Sequence, residues 1–250
     1  MSPAAGSNRS SMRSLAVFEA FRVAGRPLSL SELARMTEIP VSTCHGVMRS
    51  LERGGFLYVV DGRDVYPTRR LWDIAEEIRA HDPIARRLEP ALSALRDETG
   101  ETVVLGTRQA DAVLYLLVLE SGQSIRYSSR AGEQKPLHSS AIGKALLGDL
   151  PADALDQWLA GRRLERVTER TIVSARQLRA DLELARERGY CVTRGENVPD
   201  VMAVAAPLRL GASGLGVAVA GPLHRMQPNE AKIGKRLLQC IRRLEQQDVR

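Results

Sequence analysis

Residues 40–67, PVSTCHGVMRSLERGGFLYVVDGRDVYP, constrain the fold more than any other stretch of the chain. Val41, Cys44, Met48 and Leu51 recur at spacings of three and four, the period that buries one side of a helix. The glycines of RGGF close that helix. FLYVV and DVYP then flank Asp61-Gly62, a pair that favours a tight hairpin turn. The outer side of the helix carries Ser42, His45, Gly46, Arg49 and Arg53. Short hydroxyls, a bare glycine and arginines suit a helix laid against a polar, anionic surface.

The preceding residues complete a three-helix unit. SSMRSLAVFEAFRVAG predicts a first helix with Leu15, Phe18 and Phe21 inward, ended by Gly25 and Pro27. Ser29 and Glu32 have capping-box spacing and open a second helix, with Leu30, Leu33, Ala34 and Ile39 inward. TEIP is a turn, after which Ser42 is expected to cap the third helix. Three helices and a hairpin over about sixty residues make a winged helix-turn-helix, whose third helix enters the major groove. Ser42 and Thr43 would then meet phosphates or base edges, aided by the helix dipole. Arg49 would fork onto guanine, Arg35 and Arg53 would meet phosphates, and Arg63 at the hairpin tip would reach a minor groove. His45 reads as a polar surface contact, since no partner three or four residues on could share a metal. Similar spacing occurs in purely structural helical domains, but here caps, turn, hairpin and basic face agree.

At 250 residues there is room for a second domain, and 44% hydrophobic with 26% charged residues is a globular composition. A net charge of +6 favours an anionic partner such as nucleic acid. Cys44, Cys191 and Cys240 lie far apart and the four histidines are scattered, so no disulfide framework, metal site or cofactor is expected. No apolar run approaches membrane-span length, and the start MSPAAGSNRSSMRS has no hydrophobic signal region. The expectation is a cytoplasmic chain without a membrane partner, with a disordered tail over 1–12.

The winged unit is placed at 13–69, a linker helix at 70–81 and the second domain at 82–250, with the boundary at Asp82-Pro83. A helix near 84–99 keeps Ile84, Leu88, Leu92 and Leu95 on one face and suits a domain joint or dimer contact. Strands follow at ETVVLGTR, DAVLYLLVLES and SIRYSS, then a loop, RAGEQKPLH, and a helix, SSAIGKALLGDL. Helices near 151–160 and 174–188 precede strands GYCVT, VMAVAAPLRL and GLGVAVAGP and a last helix near 228–247. The order lacks βαβ regularity. It predicts an α+β chain whose second domain has a mainly antiparallel sheet covered by helices.

An enzyme is the main rival reading, with His138, Ser139, Ser140 and Lys144 as nucleophile and base. No G-x-S-x-G elbow frames these serines, and AIGKA lacks the earlier Gly and following Ser/Thr of a P-loop. A purely structural oligomerising protein without an effector is the second rival, and DNA retardation unaffected by any metabolite would favour a constitutive regulator instead.

Three segments carry a resemblance that spans nearly the whole chain: SLAVFEAF…LSLSELARMTEIPVSTCHGVMRSLERGGFLY, AGEQKPLHSSAIGKALLGDLP, and ARERGYCVTRGENVPDVMAVAAPL followed by GVAVAGP. The chain resembles the IclR family of bacterial transcriptional regulators. The resemblance implies a winged helix-turn-helix, an effector domain of GAF/profilin-like fold, and a dimer, or dimer of dimers, on double-stranded operator DNA. It also implies an effector pocket formed by Ser140, Ala141, Ile142, Thr193, Val201, Ala203, Ala218 and Ala220. The family often has Asp at position 193, Cys at 203, Ser at 218 and 220, and Arg at 46, whereas Glu196 matches its acidic residue. A wall of alanines implies an effector with an apolar or aromatic body. The open amides at the helix starting near Ser139 favour a carboxylate end. Repression is expected over activation.

Overall fold

The computed structural model describes residues 9–211 and 213–248. The chain divides into two compact units, one ending at Asp82 and the other beginning at Pro83.

The first unit contains α1 (Arg9–Ala24), α2 (Leu30–Thr37), α3 (Val41–Arg53), β1 (Leu57–Val60), β2 (Asp64–Pro67) and α4 (Arg70–Ala80). Its core joins Val17, Phe21, Leu33, Cys44, Leu57 and Val65. The Ser29–Glu32 capping box forms as the spacing predicts. Asp61 and Gly62 both take positive φ, the backbone a tight hairpin turn requires.

Three expectations need correction here. Helix α1 begins at Arg9, so residues 9–12 are helical rather than part of a tail; residues 1–8 lie outside the described residues. Leu15 is 55% exposed, and Val17 and Ala20 turn inward with Phe21, so the buried face of α1 is set by packing and not by its largest aliphatics. Pro40, not Ser42, is the N-cap of α3. Proline has the fixed φ that suits this junction but no hydroxyl to cap with, so the first-turn amides of α3 have no side-chain cap.

The second unit runs α5 (Pro83–Thr99), β3 (Thr102–Gln109), β4 (Ala112–Leu119), β5 (Gln134–Pro136), α6 (Ala141–Gly148), α7 (Ala152–Leu159) and α8 (Ala175–Arg188). It ends with β6 (Cys191–Arg194), β7 (Val201–Leu210), β8 (Ser213–Pro222), α9 (Leu223–Met226) and α10 (Glu230–Asp248). Six strands form one sheet in the order β5-β4-β3-β8-β7-β6, every neighbour antiparallel. Strand alternation sends successive side chains to opposite faces. Val103, Leu105, Val204, Val217 and Val219 pack with α5 and α10. Val104, Ala205, Ala218 and Ala220 pack with α6, α7 and α8 on the other face. Leu88, Leu92 and Leu95 are buried on α5 as the periodicity predicts; the side chain of Ile84 lies outside the described residues.

SIRYSS is not a strand. The carbonyl of Tyr127 accepts from the Thr102 hydroxyl at 2.6 Å, so a side chain takes the bond a strand neighbour would need. The edge strand lies in the stretch read as a loop, where Gln134 to Pro136 pair with β4.

Candidate DNA-reading face and effector cavity

On the first unit, Arg49 and Arg53 project from α3 and are exposed, with Ser42 and His45 exposed and Thr43 half-buried. Arg35 is exposed in the last turn of α2, and Arg63 is exposed at the β1–β2 turn. Among the described residues the side chains of Arg35, Arg49, Arg53 and Arg63 make no ion pair or hydrogen bond, which leaves four guanidinium groups to solvent or a partner. Other arginines of the unit are engaged: Arg26 pairs with Glu32 at 2.7 Å, and Arg70 stacks 4.8 Å from the Phe56 ring. A Cβ at Gly46 would meet nothing within 4 Å, so the middle of the exposed face is open.

Net charge does not mark this face. The first unit has 11 arginines against 10 carboxylates, and the second has 25 basic against 20 acidic side chains. The positive balance that suggested an anionic partner sits mostly in the second unit. The case for the first rests on where its free arginines stand.

In the second unit, the eight residues predicted for the effector pocket all line one cavity of about 30 Å³. Sheet register explains the convergence. Thr193 pairs with Ala203, and Ala203 with Ala220, across β6, β7 and β8. One step along, Ala205 pairs with Ala218, and Ala218 with Val104 of β3. Alternate positions face α6, whose first residues, Ala141 and Ile142, form the opposite wall.

The role expected of Ser140 changes. It is the N-cap of α6: its hydroxyl donates to the Pro136 carbonyl at 2.7 Å and accepts from the Gly143 amide at 3.2 Å. The acceptor caps the helix and the donor ties its start to β5. The amides of Ala141 and Ile142 precede the first intrahelical bond, so they are the donors left for an anion at this end.

The sequence reading missed Val104, Tyr115, Tyr127, Asn197 and Val198, which complete the lining. Tyr127 lies in the segment misread as a strand, where alternation gave no correct facing. Burial, and then the adjoining Tyr127 hydroxyl, push the Tyr115 phenol above its ordinary pKa. Asn197 Nδ2 donates to Ser139 Oγ at 3.0 Å and ties the loop after β6 to the start of α6.

The groups that suggested an enzyme are occupied otherwise. His138 Nε2 is 2.8 Å from the Glu165 carbonyl, and Lys144 Nζ is paired with Asp181 and Glu196. Among the described residues there is no group of His, Cys, Asp or Glu able to hold a metal ion, and no helix is long and apolar enough to cross a membrane.

A winged helix-turn-helix joined in one chain to an α/β unit with a small cavity between sheet and helix is the architecture of a ligand-responsive DNA-binding regulator. Comparison with known proteins gives the family. Residues 10–61 match the IclR helix-turn-helix domain, and residues 78–246 match the bacterial transcriptional regulator IclR C-terminal domain. The chain belongs to the IclR family of bacterial transcriptional regulators. It is similar to the HTH-type transcriptional regulator BhcR of Paracoccus denitrificans, 32% identical over 208 residues, covering 80% of this chain and 72% of BhcR. The crystal structure of Thermotoga maritima IclR superposes with a TM-score of 0.75 at 26% identity, over 95% of this chain and 99% of that one. An IclR homolog from Microbacterium hydrocarbonoxydans, solved with 4-hydroxybenzoate, has the same fold, with a TM-score of 0.74 at 22% identity over 96% and 98% of the two chains. These relatives are regulators, not enzymes.

Proposed function

We propose that this protein represses transcription as a dimer on operator DNA and that a small carboxylate with an apolar or aromatic body controls its affinity for DNA. The observation that carries the reading is the alanine-walled cavity of the second unit, with two helix-start amides at one end. Apolar burial supplies affinity at about 25 cal/mol per Å². The amides orient an anion. A small polyhydroxylated or keto-acid ligand would find few hydrogen-bond partners on Ala203, Ala218 and Ala220.

On the DNA side, α3 lies in the major groove with Arg49 toward base edges and Arg35, Arg53 and Arg63 toward the backbone. A single winged module has a limited interface, so two modules on a symmetric site supply specificity. Half-sites should lie roughly 34 Å apart or a multiple of it.

The test begins with an operator selected from random duplexes and footprinted. Aromatic carboxylates, starting with 4-hydroxybenzoate, are then titrated into the protein–operator complex. Release of DNA, matched by heat of binding to the free protein, supports the reading. Retardation unchanged by every acid would favour the constitutive regulator instead, and an asymmetric half-site bound at full affinity would exclude the dimer.

A further inference from the structure

A second recess lies at the other end of α6. It is a groove of about 320 Å³, open to solvent, between α6, the end of α8, β7 and α10. The effector cavity, by comparison, holds about 30 Å³. Ligand pockets span ~300–1,000 Å³, so of these two the groove is the ligand-sized one as it stands. Its space comes from small side chains where three helices meet the sheet: Ala145, Ala185 and Ala206 leave room that Leu182, Leu238 and Ile241 wall in.

The mouth is charged. Arg186, Arg209 and Arg242 stand there with Asp149 and Glu245. Arg186 donates to the carbonyls of Gly148 and Leu150 at 3.0 and 3.1 Å. Arg209 is held by Asp149, and Glu245 accepts from the Arg209 amide at 2.9 Å. The Arg242 side chain has no hydrogen bond or ion pair among the described residues. An apolar trough therefore ends at one unengaged guanidinium with an excess of positive charge around it.

We propose that this groove is a second ligand site, separate from the effector cavity, for a small amphipathic carboxylate. The alkyl body lies along Leu182, Leu238 and Ile241, and the head group pairs with Arg242. A guanidinium matches a carboxylate with two parallel hydrogen bonds, which selects it over an alcohol or an amine of the same chain length.

The probe is octanoate, with octanol and octylammonium as controls, followed by methyl NMR on the full chain. Saturable shifts of Leu182, Leu238 and Ile241 methyls with octanoate, larger than with either control, are expected. Arg242→Glu, an exposed change, should weaken octanoate by about tenfold or more, as loss of a charge-assisted bond implies. Leu238→Trp, at a half-buried position, should fill the groove and abolish the shifts. Ala203→Leu, in the other cavity, should leave them unchanged. Shifts centred on Ile142 or Val201 would overturn the proposal, as would equal binding of octanol. Absence of groove shifts, together with a changed oligomeric mass in Leu238→Trp, would mark the groove as a protein contact and also overturn it. None of these outcomes depends on whether the effector cavity responds to an aromatic acid.

Discussion

Lys144 Nζ lies 2.5 Å from Glu196 Oε2 with none of the lysine side chain exposed. Asp181 Oδ2 is 2.9 Å away on the other side. One buried cation therefore ties α6 to α8 and to the loop after β6, beneath the cavity wall. Removing it would leave the buried Glu196 carboxyl beside Asp181, whose side chain is 25% exposed, with no cation between them. Breaking a buried pair in this way costs about 3–5 kcal/mol. Lys144→Met should lose stability on that scale in urea denaturation, and a loss below about 1 kcal/mol would show that water already reaches the site.

The same cluster predicts a pH dependence. Burial raises the Glu196 carboxyl above its ordinary value, the Asp181 carboxylate pushes it further, and Lys144 opposes both. A carboxyl whose folded pKa is raised keeps its proton in the folded state where the unfolded chain has lost it. Stability from this group is present below the unfolded pKa and falls as pH rises toward the folded one. Glu196→Gln should flatten that slope while the wild type loses stability with rising pH. Identical slopes in the two proteins, by calorimetric melting across that window, would remove Glu196 as the cause.

Gly46 offers a simpler test. It sits inside α3 with open space where a side chain would be. Glycine in a helix interior costs about 0.5–1 kcal/mol relative to alanine. Gly46→Ala should raise stability by that amount in thermal melts, and Gly46→Arg should fold equally well and change which operators are selected. Destabilisation by either would mean that the face is covered by something else.

Legibility followed the length and regularity of each element. The capping box, the Asp61-Gly62 turn and the long strands β7 and β8 have strong local signals, and register then brought residues 193, 203, 218 and 220 together. Ser42 was misplaced as a cap because a hydroxyl near a helix start is a strong prior, whereas Pro40 leaves no side-chain signature of its own. Tyr127 was lost because SIRYSS alternates like a strand while its backbone is held by Thr102, a residue far away in sequence. The groove beside α10 had no sequence signal, since it arises from small residues on separate elements.

The two arginines of α3 should behave differently. If Arg49 reads a guanine, Arg49→Ala should cost about 1–3 kcal/mol on the selected operator and relax preference at one base pair. Arg53→Ala should weaken binding to all sequences and reduce the salt dependence, as loss of a phosphate contact does. Both are read by gel retardation at several salt concentrations. Unchanged affinity in the double variant would rule out this placement of the helix.

The proposed effector cavity poses the last question, because about 30 Å³ admits a water or two and not an aromatic ring. One wall must move. Helix α6 is close-packed on the segment that precedes it, where a Cβ at Gly143 would collide with the Leu137 backbone. The alanine wall is fixed by sheet pairing on both sides. Two irregular segments also line the cavity: the loop after β6 is tied to α6 by Asn197–Ser139 and Glu196–Lys144, and the other carries Tyr127, anchored by the Thr102 hydroxyl and by the Arg126–Glu120 ion pair at 3.0 Å. An acid with a ring that enters on the latter side must displace Tyr127, and the work of displacement is subtracted from its affinity. Tyr127→Ala should therefore tighten 4-hydroxybenzoate in calorimetry while lowering stability by about 3 kcal/mol, the scale for truncating a buried aromatic. Ala203→Leu, which fills the half-buried opposite wall, should abolish the same binding without affecting operator retardation. If both variants bound the acid as wild type does, the effector would sit elsewhere, and the alanines would be no more than close packing between sheet and helix.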